Sequence, residues 1–208
     1  HLIGISNPTG EHLIKILKKK SEENLFIYSR SNKNNYYLNL EKLSKFKFQN
    51  SNENGVIVSL APIWLLASFI ESINISNIKS IIAISSTSVI TKRFAFNNFD
   101  RTLVKKLSNA EKKIEKICSQ NDIPFSIFRP TLIYGGSSSY SDKNKLFINK
   151  AFKSFPFIFL PKNTGLRQPI HSLQLAKLIS NKIYDEFSEN EKNITSSIVN
   201  VGGDEELS

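Results

Sequence analysis

Gly4, Asn7 and Gly10, spaced three apart in "HLIGISNPTGEHLIKIL", carry the first chemistry legible in this sequence. They fall between an apolar run, Leu2 to Ile5, and a helical face of Leu13, Ile14 and Leu17, so the order is strand, tight turn, helix. That order suits a pyrophosphate. Glycines let main-chain amides come close, and the first helical turn offers N–H groups and its positive dipole end. The spacing is G-x-x-N-x-x-G rather than G-x-G-x-x-G, and asparagine, which tolerates left-handed backbone, is expected to keep the turn in place of the missing glycine. Gly4, Asn7, Pro8, Thr9 and Gly10 are therefore candidate phosphate-turn residues. A plain Asn-Pro turn ahead of a helix accounts for the same residues.

Further along, the apolar run Ile81 to Ile84 stops abruptly at Ser85, Ser86, Thr87 and Ser88. One reading gives Ser86 a catalytic hydroxyl on a substrate oxygen, with Ser85 toward a cofactor and Thr87 toward the substrate. The other has all these hydroxyls satisfying their own strand-end backbone. Lys92 is the nearest substitute for a base, although a solvated lysine explains it too. Arg30, with Ser29 and Ser31, ends the second apolar run, where an acidic residue would favour NAD and a cation favours the 2′-phosphate of NADP. The plainer account is one more surface arginine. Arg167 and His171, in "GLRQPIHSL", suit an anion clamp and a packed, hydrogen-bonded histidine respectively. Cys118 has no histidine placed to activate it, and no Cys/His set has zinc spacing, so no metal is expected.

The elements that must position these residues alternate. "NLFIYSRS" and "GVIVSLAP" read as the second and third strands, "IWLLASFIESI" as a helix and "SIIAISSTS" as a further strand. "RTLVKKLSNAEKKIEKICSQ" places Leu103, Leu107, Ala110, Ile114 and Ile117 on one helical stripe with charges on the other face, and "PFSIFRPTLIYGG" follows as strand and loop. Near-continuous apolar strands alternating with helices predict a parallel sheet covered on both faces, with ligands at the carboxyl ends of its strands. Leu60, Ala61, Pro62, Pro130 and Tyr134 stand at such ends: the first three and Pro130 on the cofactor side, Tyr134 facing the substrate. Beyond Tyr140 the pattern is less regular. The expected division is residues 1–134 as the dinucleotide-binding core and 135–208 as a substrate-binding portion interleaved with the last strands, with a further element expected after Ser208.

At 208 residues and 40% hydrophobic content the chain suits one well-cored domain. No run reaches the roughly 18 apolar residues of a membrane helix, since Ser59 and Pro62 interrupt the longest. One cysteine fits a reducing compartment, so a cytoplasmic location is expected. The formal charge of +10 suits an anionic partner, but the lysines are spread along helices of an Asn-, Lys- and Ile-rich chain. A small anionic molecule is expected rather than specific nucleic-acid binding.

Five segments together resemble the extended and atypical short-chain dehydrogenase/reductases, which include nucleotide-sugar epimerases and dehydratases. "GISNPTG" looks like that family's phosphate turn, "SSTSV" its Ser-Ser-x-x-Val, and "AEKKIEKICSQNDIPFSIFRPTLIYGG" its Ala-Glu helix and Arg-Pro-x-x-x-Tyr-Gly segment. "GLRQPIHSLQLAKLI" looks like its Arg-x-x-x-His segment, and "VNVGGDEELS" its closing strand. The resemblance implies a doubly wound, Rossmann-type α/β sheet, a nicotinamide dinucleotide, a nucleotide-linked sugar as substrate, Ser86 as the catalytic serine and Arg167 on the substrate diphosphate; Arg30 gives the preference for NADP over NAD, and a homodimer is a further expectation. One departure stands out: the positions of the family's Tyr-x-x-x-Lys pair fall on Leu103 and Leu107, which can neither shuttle a proton nor bond a ribose hydroxyl. The chain therefore reads either as an enzyme with another acid/base or as a non-catalytic sensor or assembly factor of the same fold.

Overall fold

A computed structural model describes residues 1–20, 24–30, 36–42, 46–49, 55–154, 168–187 and 195–206. In chain order the strands are β1 (Leu2–Ile3), β2 (Ile27–Ser29), β3 (Tyr36–Tyr37), β4 (Gly55–Ser59), β5 (Ile78–Ile84), β6 (Phe125–Pro130), β7 (Ile133–Tyr134), β8 (Ile170–His171) and β9 (Ser197–Val201). The helices are α1 (Pro8–Lys20), α2 (Ile63–Ser72), α3 (Ser88–Thr91), α4 (Asn98–Gln120), α5 (Lys143–Ser154) and α6 (Ser172–Phe187).

Seven strands form one parallel sheet in the order β3-β2-β1-β4-β5-β6-β9, a Rossmann-type arrangement as the alternation predicts. Side chains alternate across each strand, so neighbouring apolar residues serve opposite faces. Ile57 and Ile81 join the core under α2 and α4 with Leu66, Phe69 and Ile114. Val56, Val58 and Ile82 join the core under α1 and α6 with Leu13, Leu17, Leu175 and Ile179. A continuous apolar strand is the sequence signature of this two-sided burial.

Three local readings are corrected. β3 is a further strand between "NLFIYSRS" and "GVIVSLAP", so the latter is fourth; two exposed tyrosines carry too little alternation to show it. α3 is a single turn hidden in the hydroxyl cluster. On α4 the buried set is Leu107, Ala110, Glu111, Ile114 and Cys118, while Ile117 is half-buried, so the core stripe ends on Cys118 rather than Ile117. Burial pushes the Cys118 thiol up to about 12.

Although it follows residue 134, the C-terminal portion shares the core. α6 packs against α1, and β9 pairs with β6 from Ser126↔Ser197 to Pro130↔Val201. β7 and β8 form a separate parallel ribbon, Ile133↔Ile170 and Tyr134↔His171, which brings the end of the β6 connection beside the start of α6.

Candidate functional site at the carboxyl edge

The turn after β1 is shaped by close backbone approach. Gly4 has φ +69°, and a Cβ there would collide with the backbone of Ala61 at the end of β4. A Cβ on Gly10 would collide with the carbonyl of Ile5. Only glycine permits both contacts.

Asn7 behaves differently from the expectation. Among the described residues Asp122 is the non-glycine with positive φ, so Asn7 does not replace glycine by adopting left-handed backbone. It acts as the N-cap of α1: Oδ1 accepts from the Gly10 amide at 2.9 Å, Nδ2 donates to the Gly4 carbonyl at 2.8 Å, and its own carbonyl accepts from the Glu11 amide at 3.1 Å. Pro8 at the first helical position has no N–H. Fewer amides of the first turn are thus open to an anion than in an all-glycine turn.

A strap of residues 135–139 lies against this helix end. Glu11 Oε2 accepts from Ser137 Oγ at 2.6 Å and from the Ser139 amide at 2.9 Å, while Oε1 accepts from Lys15 Nζ at 2.6 Å and from the Ser138 hydroxyl. Bonds from Lys15, Ser137 and Ser138 hold the Glu11 carboxyl well below the usual carboxylate range. His12 Nε2 donates to the Gly136 carbonyl at 3.2 Å. Between turn and strap lies a cavity of about 320 Å³, lined by Asn7, Pro8, Thr9, Leu60, Gly135 and Asp142 among others. Ala61 sits against Gly4, and Pro62 caps α2, its carbonyl accepting from the Leu65 amide at 2.9 Å.

A larger cleft of about 880 Å³ opens at the ends of β5 and β6, with Ser86, Thr87, Lys92, Pro130, Thr131 and Gln168 on its walls. Ile133 and Asn144 line both spaces, so the two adjoin. The hydroxyls here serve their own backbone first. Ser86 Oγ donates to Ser88 Oγ at 3.0 Å and accepts from the Ser88 amide at 3.1 Å, and Thr87 Oγ1 donates to the Pro130 carbonyl at 3.3 Å. Lys92 Nζ is 2.7 Å from Asp100 Oδ1 rather than solvated alone.

Ser85 is drawn inward. Its Oγ donates to Glu111 Oε1 at 2.5 Å, and Glu111 in turn holds Arg129 by Nε to Oε1 at 2.9 Å and Nη2 to Oε2 at 2.6 Å. Glu111 is 3% exposed, and its bonds raise the Arg129 guanidinium further above its ordinary value. This two-point pair ties α4 to the ends of β5 and β6, so the Ser85 hydroxyl is engaged with protein rather than presented to a ligand. Sequence reasoning missed Glu111. Its signal was an acid at the buried-face spacing Leu107, Glu111, Ile114, Cys118.

Leu107 is buried, and Leu103 is half-buried and packed against the same cluster, so both positions of the Tyr-x-x-x-Lys pattern are part of the core. Arg30 is exposed at the end of β2, 4.0 Å from Glu41, and Ser29 ends that strand beside it. Ser31 and Arg167 lie outside the described residues. His171 is the N-cap of α6: its Nδ1 accepts from the Leu173 amide at 3.1 Å while its own amide donates to Gln174 Oε1 at 3.0 Å. Tyr134 packs edge-on against it at 5.1 Å, next in sequence to Ile133, which lines both spaces. Among the described residues no cluster of His, Cys, Asp or Glu could hold a metal ion, and no helix is long and apolar enough to cross a membrane.

No protein-family model matches the chain, and no curated protein matches it in sequence. Solved structures do match. UDP-glucuronic acid 4-epimerase from Bacillus cereus, in complex with NAD, superposes with a TM-score of 0.70 at 14% identity, over 99% of this chain and 78% of the epimerase. Yeast methylglyoxal/isovaleraldehyde reductase, complexed with NADPH, gives 0.65 at 15% identity, over 97% of this chain and 74% of the reductase. dTDP-4-dehydrorhamnose reductase from Yersinia enterocolitica gives 0.61 at 14% identity, over 100% and 75%. The fold is therefore the Rossmann-type α/β fold that these epimerases and reductases share.

Proposed function

We propose that the protein is an atypical member of this fold that binds a nicotinamide dinucleotide, NADP in preference to NAD, and acts on an anionic small molecule of the nucleotide-sugar kind. The observation that carries this reading is the pair of adjoining spaces along the carboxyl edge, one beneath the glycine turn and one walled by the hydroxyl cluster. Neighbours of the same fold, at low identity, are complexed with NAD, NADPH and UDP-sugars.

The dinucleotide fits the turn on one condition. Gly4 and Gly10 already keep strand, turn and helix close, but the Asn7 side chain must rotate off the Gly10 amide, leaving that amide and the Thr9 amide to the diphosphate. Leu60 and Ala61 border the ligand from β4, and Arg30 beside Ser29 and Ser31 attracts a 2′-phosphate.

Such a cofactor supplies hydride transfer when bound. In the adjoining cleft Ser86 and Thr87 orient the substrate by exchanging their backbone bonds for bonds to it. Of the described residues on the cleft walls, Lys92 and Glu206 are ionisable, so Lys92, released from Asp100, is the group proposed to hold a proton near Ser86. Arg167 is the proposed clamp of the substrate's charge, with His171 fixing the start of α6 nearby in sequence.

Titration with NADPH and with NADH, followed by fluorescence of the single Trp64, tests the cofactor reading. Saturable quenching at lower NADPH than NADH is expected, and no response to either overturns it. A nucleotide-sugar panel assayed for cofactor oxidation or epimerisation tests the activity, with Ser86→Ala abolishing turnover. The second reading, a dinucleotide sensor without turnover, is favoured by Leu103 and Leu107 packing into the core. Saturable binding with no turnover across the panel decides for it.

A further inference from the structure

The segment joining α3 to α4, together with the first turn of α4, presents Phe94, Phe96 and Phe99 at 85%, 98% and 78% exposure. Exposed apolar residues are ordinary singly, but three large rings within six positions, projecting almost whole into solvent, are not. Residues 88–106 also carry Lys92, Arg93, Arg101, Lys105 and Lys106 against the single acid Asp100. Asp100 is engaged by Lys92 at 2.7 Å, and Arg93 stands 5.5 Å from the centre of the Phe94 ring, so cationic charge in excess of that acid sits beside the rings. Ile90 and Leu132, both half-exposed, add apolar surface on neighbouring segments.

We propose that this segment is a peripheral anchor that inserts its phenylalanines into the interface of an anionic lipid bilayer. Rings this exposed make no preformed patch or groove for a rigid protein partner, which needs roughly 800 Å² of complementary surface on each side. A bilayer interface needs none, because acyl chains and headgroups adapt to each ring while flanking Arg and Lys meet anionic headgroups. The charge excess matches that surface in sign. The anchor also has an orientation relative to the site: Thr91 and Lys92, directly before Arg93, form part of the cleft wall, so insertion holds the cleft mouth at the membrane surface.

Flotation of the full chain with vesicles of phosphatidylcholine containing about 30% phosphatidylglycerol, and with phosphatidylcholine alone, tests this. Binding to the anionic vesicles, weakened by salt, is expected. A Phe94→Ser/Phe96→Ser/Phe99→Ser variant should lower the partition coefficient at least about tenfold with an unchanged melting temperature. Arg93→Ser/Arg101→Ser should weaken binding and flatten its salt dependence. Absence of flotation, or flotation indifferent to the three phenylalanines, overturns the proposal. So does a large fall in melting temperature of the triple variant, which would mean that the rings are covered by this chain. Phenylalanine-dependent self-association without vesicle binding also overturns it, assigning the surface to a second copy.

Discussion

The turn between β1 and α1 and the buried face of α4 both belong to the carboxyl half of the sheet, yet the physical reasons for their residues differ. At the turn the demand is for room, and Gly4 and Gly10 meet it where any side chain would strike Ala61 or Ile5. On α4 the positions where the family resemblance implies a proton donor and a cation are Leu103 and Leu107, which pack as core residues. The difference teaches that close backbone approach at the turn and the packing of the neighbouring helix face are separable: the first needs glycine for want of room, the second needs apolar bulk. The structural anchor on that helix is Glu111, whose bonds to Ser85 and Arg129 fix the strand ends without any ligand.

The largest expected effect lies on the α4 side. Glu111→Ala leaves the Arg129 guanidinium and the Ser85 hydroxyl without their partner, at a cost of about 4 kcal/mol in urea denaturation. Replacing Glu111 and Arg129 together by leucine and methionine should recover most of it; a double variant as unstable as the single would show that the pair itself is not the cause. On the turn side, Gly10→Ala should destabilise by roughly 3 kcal/mol, since the added methyl meets backbone rather than a movable side chain. Unchanged stability in the Gly10→Ala variant would dissolve the steric half of the contrast.

Asn7→Gly sharpens the contrast with a small stability change. Glycine is nearly as good an N-cap, so only a few tenths of a kcal/mol should be lost. Freeing the Gly10 amide should meanwhile tighten NADPH binding by about tenfold, read from the Trp64 titration. Weaker binding would mean that the asparagine side chain itself holds the phosphates.

The smallest expected effect concerns the strap, because Glu11 is near solvent. Its carboxyl is depressed below the ordinary value of 4.5, so its stabilisation is complete above that pH and is lost as pH falls through the lower folded value. Hydrogen exchange at the Ser139 amide should therefore stay protected at about pH 4 and lose protection on further acidification. In Glu11→Gln that pH dependence should vanish.

Much of this architecture is legible from local pattern. The apolar runs at β4, β5 and β6 and the stripe on α4 repeat at strand and helix periods, which record burial directly. That no tyrosine occurs between Phe99 and Ile117 is equally plain from the sequence. β3 escaped because two exposed tyrosines show no alternation. The end of the α4 stripe was read one residue early, because a stripe ending at Ile117 and one ending at Cys118 differ by a single helical position.

The sequence by itself determined the order of strands and helices, the glycine positions and the leucines on α4, because each follows from the chemistry of residues close together along the chain. Only the tertiary structure decided what the polar side chains hold. Asn7 caps its own helix, Ser85 turns inward to Glu111, and Glu11 clasps serines more than 120 residues away. A hydroxyl or carboxylate takes whichever partner packing brings within about 3 Å, and that distance is set by how sheet and helices close together.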